Sequence, residues 1–386
     1  MTSLADIALI NPKLDERLAD DQVVSFLGMA DISEDGKTGV GSERLFSTVK
    51  KGFTPFKNGD LLVAKITPCF ENGKIAQAAT AHTQAFGSTE FHVVRVATSR
   101  AEPRYVLHLL RTPDVRVSGE QRMTGSAGQR RVPKAFLESL EIPLPPLSEQ
   151  RRIAGILDRV DELRAKRRRA LAFLDELADA AFSSAFDIPD DPRGLGELPR
   201  LADFAVQITD GEHLTPRRTS VGKKLLSARN VQNGYLDFRS VDHVDDVEFE
   251  RVARRCRPTR GDVLISCSGS VGRISVVATD EPFVLVRSVA LVRPAAPLHP
   301  LYLERYLRSP SIQREILKRS KSSAQANLFQ DAIRALPVLV PDIRAQLQFV
   351  GRVERIERLG SIHRASLAHL DELFASLQHR AFSGQL

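Results

Sequence analysis

Basic side chains in this chain gather in short runs, and the runs recur. Arg122, Arg130, Arg131 and Lys134 follow one another with no acid between them. A second stretch holds Arg305, Arg308, Arg314, Lys318, Arg319 and Lys321 against the single acid Glu315. Small and polar residues interrupt or follow both: Gly125-Ser-Ala-Gly-Gln129 and Ser322-Ser-Ala-Gln-Ala-Asn327. Cations neutralise phosphates, small residues let backbone approach them closely, and Gln and Asn can pair with adenine edges. A third patch, Asp210-Gly-Glu-His213-Leu-Thr215-Pro216-Arg217-Arg218 with Lys223 and Lys224, has the same character. Taken singly, any such run also reads as a solvated face; two matching ones favour an anionic partner.

Motifs for catalysis are missing where they would be looked for. Asn11-Pro12-Lys13 lacks the second proline and the aromatic of an adenine methyl-transfer site. Gly36-Lys37-Thr38 has Asp31 where a phosphate-binding loop needs glycine. Asp60-Leu-Leu-Val-Ala-Lys65 is only loosely like a nuclease array, and Gly269-Ser-Val-Gly272 reads as a hairpin turn. The histidines form no metal-binding pattern. Cys69, Cys256 and Cys267 form no Cys-x-x-Cys pair and read as reduced structural thiols. The expectation is a protein with no catalytic residues, no metal and no cofactor of its own.

The elements that must carry these runs come twice. Leu4-Ala5-Asp6 returns as Leu201-Ala202-Asp203, and Gly59-Asp60-Leu61-Leu62 as Gly261-Asp262-Val263-Leu264. Gly73-Lys74-Ile75 returns as Gly272-Arg273-Ile274, and the helical run Tyr105–Pro113 as Tyr302–Pro310. From Leu140 to Phe186 the second copy follows at a constant offset of 196, so Gln150 answers to Gln346 and Phe186 to Phe382. Such a period means two copies of a whole domain, not a solenoid.

Each copy reads as a mixed segment followed by a long helix. Asp60–Ile66, Asp262–Ser266, Phe91–Val96 and Phe283–Val286 are strand-like. Pro103–Leu110 and His299–Leu307 read as helices. Ile142-Pro-Leu-Pro-Pro146 ends a strand-like run at prolines. Ser148 can cap the long helix, with Glu149 in its first turn. Heptad apolar residues follow: Ile153, Ile156, Val160, Leu163, Ala170, Leu174, Leu177 and Ala181 in the first helix. The second has Phe349, Ile356, Leu359, Leu370, Leu373 and Leu377, and Arg167 and His363 interrupt the seams. At 1.5 Å per residue the first helix is roughly 55 Å long and needs a partner, for which the other copy serves. The segment Arg151–Arg169 of that helix is itself basic and suits either DNA or acids on a partner subunit.

The expected class is therefore α+β: two pseudo-repeated mixed domains joined by two long helices in an antiparallel coiled coil. The expected segments are 1–148, helix 149–186, a Pro-, Gly- and Asp-rich linker 187–199, domain 200–344 and helix 345–386. With 42% apolar residues and a net charge of +7, the composition is that of a soluble protein with a mild basic excess. The N-terminus lacks a leader pattern and no run nears 18 apolar residues, so a cytoplasmic protein with no membrane contact is expected.

Particular strings carry a family likeness across essentially the whole chain. Ile142-Pro-Leu-Pro-Pro-Leu147-Ser-Glu149-Gln150-Arg-Arg-Ile153-Ala, Thr67-Pro68-Cys-Phe70-Glu-Asn72-Gly73-Lys74 and Asp210-Gly-Glu-His213-Leu-Thr-Pro216 resemble the specificity subunit of type I restriction-modification systems. The second helix departs from the pattern at Pro341-Asp-Ile-Arg-Ala-Gln346, and Ser266-Cys-Ser-Gly-Ser270 replaces the Thr-Pro-x-Phe-Glu-Asn string. The resemblance implies a non-catalytic subunit whose two target-recognition domains each read half of a split site in double-stranded DNA. The helix pair acts as a ruler. Two modification (methyltransferase) subunits would dock on it, bind S-adenosylmethionine and flip the target adenine, and restriction subunits would join for cleavage. The alternative is the equivalent subunit of a related system whose partner fuses modification and cleavage. From loop placement, base-reading residues are expected among Lys65, Lys74, Gln129, Arg130, Arg131, His213, Arg217, Ser268, Arg273 and Asn327.

Overall fold

The computed structural model describes residues 2–14, 17–126, 128–320 and 327–386. Ala127 and the stretch 321–326, which includes Lys321 and most of the second polar turn, lie outside the described residues. The chain forms two compact units, Met1–Ala170 with His363–Leu386, and Leu171–Ile362. Each long helix thus contributes to both.

The first unit is built on the apolar run Leu61–Ala64. This strand sits in an antiparallel sheet in the order Ala8–Ile10, Phe91–Val96, Leu61–Ala64, Ile75–Gln77. Side chains alternate across a strand. Leu61 and Val63 pack with Tyr105 and Leu109 of the helix Pro103–Leu110, while Leu62 meets Leu27, Phe56 and Ala85 on the other side. Those residues belong to a second, mixed sheet of Ser42–Leu45, Val23–Leu27, Gln84–Gly87 and Thr54–Lys57. Burial on both faces is why the run is continuously apolar.

The second unit repeats the plan. Ala205–Asp210, Val289–Pro294, Val263–Ser266 and Ile274–Val276 form its antiparallel sheet. Val263 and Ile265 face the helix Pro300–Arg308, and Leu264 faces a sheet of Asp242–Val244, Lys223–Leu226 and Phe283–Leu285. Phe283–Leu285 is therefore the counterpart of Gln84–Gly87, since each runs parallel to its neighbour, and the true counterpart of Phe91–Val96 is Val289–Pro294. Gly269–Gly272 does close a hairpin between Val263–Ser266 and Ile274–Val276.

Several sequence repeats acquire a physical reason. Asp60 is buried and takes a bidentate pair from Arg95, with Nη2 at 2.8 Å, while Asp262 takes the same from Arg293 at 2.7 Å. Each also accepts a backbone N–H from the preceding turn, of Lys57 or Thr259. The Gly-Asp pairs are thus turn-and-strand anchors rather than nuclease carboxylates. Gln150 Oε1 accepts the Glu102 N–H at 2.9 Å and its Nε2 donates to Pro145 O; Gln346 does the same with His299 and Pro341. One carboxamide per copy therefore pins the long helix to the start of the domain helix.

The long helices span Leu147–Ala185 and Ile343–Phe382. Ser148 lies inside the first turn rather than at its cap, because the chain already turns helical after Pro146, whose carbonyl accepts the Glu149 and Gln150 N–H groups. Within the first unit the helices run antiparallel: Arg164 Nε reaches Asp371 at 2.6 Å and Arg167 Nη1 lies 3.2 Å from His363 Nδ1. The two residues that interrupt the seams therefore meet each other. Within the second unit, Phe182 and Phe186 stack against Tyr302 and Phe349, with ring centroids 4.9–5.7 Å apart. The heptad assignment is corrected at Leu177, Leu359 and Leu373, which are 44–51% exposed. The domain packed alongside turns the buried face, so Leu157, Ala178, Phe182 and Phe374 take those places.

The domain helices meet the long helices through charge. In the first unit Arg111 donates to Asp161 at 2.7 Å, Arg164 bridges Asp161 and Asp371, and buried His108 Nε2 lies 2.8 Å from Asp158. In the second unit Arg305, at the place of His108, pairs with Asp175, Asp179 and Glu357, and Arg308 pairs with Asp175 and buried Glu304. Arg305 and Arg308 are hence not part of an exposed basic loop: Arg305 is 2% exposed, and burying it requires these carboxylates.

These junctions predict different responses. Burial holds His108 below its ordinary 6.5 despite the opposing Asp158 hydrogen bond and the nearby Asp161, and Arg111 pushes it the same way as burial. The unfolded ring takes up a proton that the folded ring refuses, so this contribution is complete above the ordinary value and is lost as pH falls below it. Chemical denaturation followed from about pH 7.5 to about pH 5 should show stability falling, and His108→Gln should flatten that slope. Arg305→Ala leaves buried Glu304 with Arg308 as its one remaining cation among the described residues and should cost about 3 kcal/mol of unfolding free energy in the same assay.

Candidate nucleic-acid interface

In each unit, the end of the central strand collects the polar loops. In the first unit Lys65 follows Leu61–Ala64; its N–H donates to Glu90 O at 2.9 Å and its carbonyl accepts Val132 N–H at 2.8 Å. Ile66 and Arg131 then pair as an isolated bridge, as do Thr124 and Arg131. In the second unit Cys267 N–H donates to Ser288 O at 2.8 Å, its carbonyl accepts Leu328 N–H at 2.9 Å, and Ser268 pairs with Asn327. Lys65 thus corresponds to Cys267, Ile66 to Ser268, and Arg131 to Asn327. Lys74 and Arg273 open the neighbouring strands equivalently: Ala64 N–H donates to Lys74 O and Ser266 N–H to Arg273 O.

The side chains at these places differ in freedom. Lys65 and Arg273 are half-buried and make no ion pair among the described residues. Lys74 is spoken for, its ammonium donating to Met29 O at 3.1 Å. Arg131 forms a two-pronged pair with Glu90, at 2.8 Å from Nη2. The guanidinium hydrogen bond holds the Glu90 carboxyl below its ordinary range. Arg130 is exposed and only loosely between Glu71 and Glu120, at 3.9 and 3.8 Å; Gln129 is exposed beside it.

At the second unit's strand end Asp210 organises the surface. His213 Nε2 lies 2.7 Å from one of its oxygens, while Arg255 Nη2, at 2.7 Å, and Gln330 Nε2 donate to the other. Burial pulls this carboxyl upward, but the hydrogen bonds from Arg255, His213 and Gln330 outweigh it and keep the group ionised below the ordinary range. Arg287 N–H donates to Glu212 O and its exposed guanidinium has no ion-pair partner among the described residues. Arg217 pairs with Asp245 at 2.6 Å, beside the helix Asp246–Ala253.

Of the expected residues, the structure therefore brings Lys65, Lys74 and Arg131 to one strand end, and His213, Ser268, Arg273 and Asn327 to its counterpart. Arg217 sits on Asp245 and Glu248, which Arg251 ties to Glu212, and Gln129 and Arg130 lie just beyond Arg131. Arg255, Arg287 and Gln330 were missed. Arg287 sits in the turn before Val289–Pro294, a strand the sequence pattern did not yield, so the turn had no visible place. Arg255 and Gln330 lie far from Asp210 in sequence and only the fold joins them. Burial pushes the Cys256 and Cys267 thiols up to about 12, in keeping with structural thiols at these two positions.

Residues 2–171 match the family described as the type I restriction modification DNA specificity domain. The chain is similar to the type I restriction enzyme EcoAI specificity subunit of Escherichia coli, 46% identical over 155 residues, which are 39% of this chain and 26% of that protein. It is similar to the EcoEI specificity subunit of the same organism, 42% identical over 160 residues, 41% of this chain and 27% of that protein. The match thus spans about a quarter of the length of these relatives. The crystal structure of a type I restriction-modification system S subunit from M. genitalium superposes with a TM-score of 0.56 at 16% identity, over 99% of this chain and 95% of that one, which is a likeness of fold.

Anisotropy with duplex DNA over a salt series checks the placement of the strand end. Lys65→Ala should reduce the slope of log affinity against log salt by about 0.9, the share of one phosphate contact. Glu90→Gln, which frees Arg131, should tighten binding at every salt concentration. Unchanged binding in both variants would remove this strand end from the interface.

Proposed function

We propose, from the premise that the chain belongs with the specificity subunits of type I restriction-modification systems, that it reads a two-part DNA site, one half with each unit. The carrying observation is the repeated strand end: two homologous frameworks present different side chains at corresponding places. Ile66 and Arg131 stand in one where Ser268 and Asn327 stand in the other. Framework contacts of that kind position a reader, and the varied side chains give each half its own base preference. Methylation and cleavage belong to partner subunits in this reading.

The helices supply a surface for those partners. Phe173 and Leu177, one turn apart, are 63% and 44% exposed, and Leu359 and Ile362 are 51% and 60% exposed. Stripes of large apolar residues on otherwise charged helices fit the modification subunits. The helices shared by both units are also the ruler that sets the spacing between half-sites.

Methylation mapping of genomic DNA from cells with the neighbouring modification subunit, with and without this chain, tests the function. A split adenine-methylated motif should disappear with the chain; identical methylation in both refutes the reading. Phe173→Asp combined with Leu177→Asp should abolish co-purification with the modification subunit while leaving the helical circular dichroism unchanged. Retained co-purification would place docking elsewhere.

A further inference from the structure

Two large apolar side chains stand in water beside the polar strand end of the second unit. Leu214 is 70% exposed and Phe329 is 55% exposed. Both are held from behind by the same carboxylate. Leu214 follows His213, whose ring is 2.7 Å from Asp210, and its own N–H donates to Glu212 Oε1 at 2.8 Å. Phe329 precedes Gln330, whose carboxamide donates to Asp210, and it caps the short helix Gln330–Arg334. That helix is tied down in turn by Arg334, which donates to Ile208 O at 2.6 Å. The unit's own core gains nothing from these two side chains, yet their backbone is fixed.

Their surroundings state what they face. Arg287 flanks them with an exposed guanidinium that has no ion-pair partner among the described residues, Arg255 is held beside them on Asp210, and Ser268 carries a hydroxyl of a kind that suits base edges. An apolar residue rigidly mounted on a basic surface suits duplex DNA, where it can enter between base pairs and unstack a step. The first unit is built otherwise. At the place of Phe329, at the start of the helix Lys134–Glu138, it has half-buried Pro133.

We propose that Phe329 is a wedge that unstacks one base step in the half-site met by the second unit, with no counterpart in the first. This rests on the DNA-reading function proposed above. The aromatic face replaces the stacking that the opened step loses, and the kink brings the flanking cations onto the backbone.

The test uses the full chain in complex with its modification subunit, on duplexes carrying the methylated motif. 2-Aminopurine is placed in turn at each position of both half-sites other than the methylated adenines and the bases next to them, which flipping of the adenine unstacks by itself. Fluorescence is expected to rise at one step of one half-site. Phe329→Ala should abolish that rise and weaken binding about tenfold, Phe329→Leu should keep part of both, and neither should alter the melting temperature, because the side chain is exposed. Equal rises in both half-sites, or a rise and an affinity that Phe329→Ala leaves within about twofold, would overturn the wedge while leaving the DNA-reading function intact. A wild-type complex with no sequence preference would overturn that function and the wedge with it.

Discussion

A strand buried on both faces has only its ends free for polar work. Leu61–Ala64 and Val263–Ser266 are packed by a helix on one side and a sheet on the other. No residue within them can meet a ligand without opening a core. The chain leaving each strand must therefore satisfy its backbone groups at once. It does so by recruiting the same three segments in each unit: the turn before Phe91–Val96 or Val289–Pro294, the residues just before the helix Lys134–Glu138 or Gln330–Arg334, and the start of the edge strand. Those segments converge because the backbone demands it, and their side chains come along.

That arrangement separates framework from side chain. Main-chain bonds from Lys65 and Cys267 hold the loops in corresponding positions whatever the side chains are. One copy can then carry Arg131 and the other Asn327, without either disturbing the fold. Internal pairing sets how much charge each position offers. Arg131 is shared with Glu90, whereas Lys65 and Arg287 are uncommitted among the described residues.

The helix junctions follow a stricter rule. A buried charge needs opposite charge or hydrogen bonds within reach. Both units satisfy it with Arg–carboxylate networks, around Arg305 and Arg308 in the second and around Arg111 and Arg164 in the first, where His108 against Asp158 takes the place of Arg305. The duplicated helices thus have matching backbones and unmatched chemistry, since Asp179 and Glu357 serve one end while Asp158 and Arg164 serve the other.

Linear sequence by itself determined the duplication, the two long helices and the apolar central strands, because each rests on local periodicity or on repeated strings. It also marked Gln150 and Gln346 as equivalent, though not that they pin helix to domain. Tertiary structure alone decided which charges are spent. Arg305 and Arg308 read as surface cations until the long helix brings Asp175 against them, across 130 residues of chain. The heptad leucines at 177, 359 and 373 read as seam until a domain packs alongside and turns the buried face. The Asp210 cluster joins His213, three residues along the chain, to Arg255 and Gln330 from distant segments, and no spacing in the chain encodes those last two meetings. Periodicity reports which face of an element is apolar; what that face and its charges meet depends on where other elements lie.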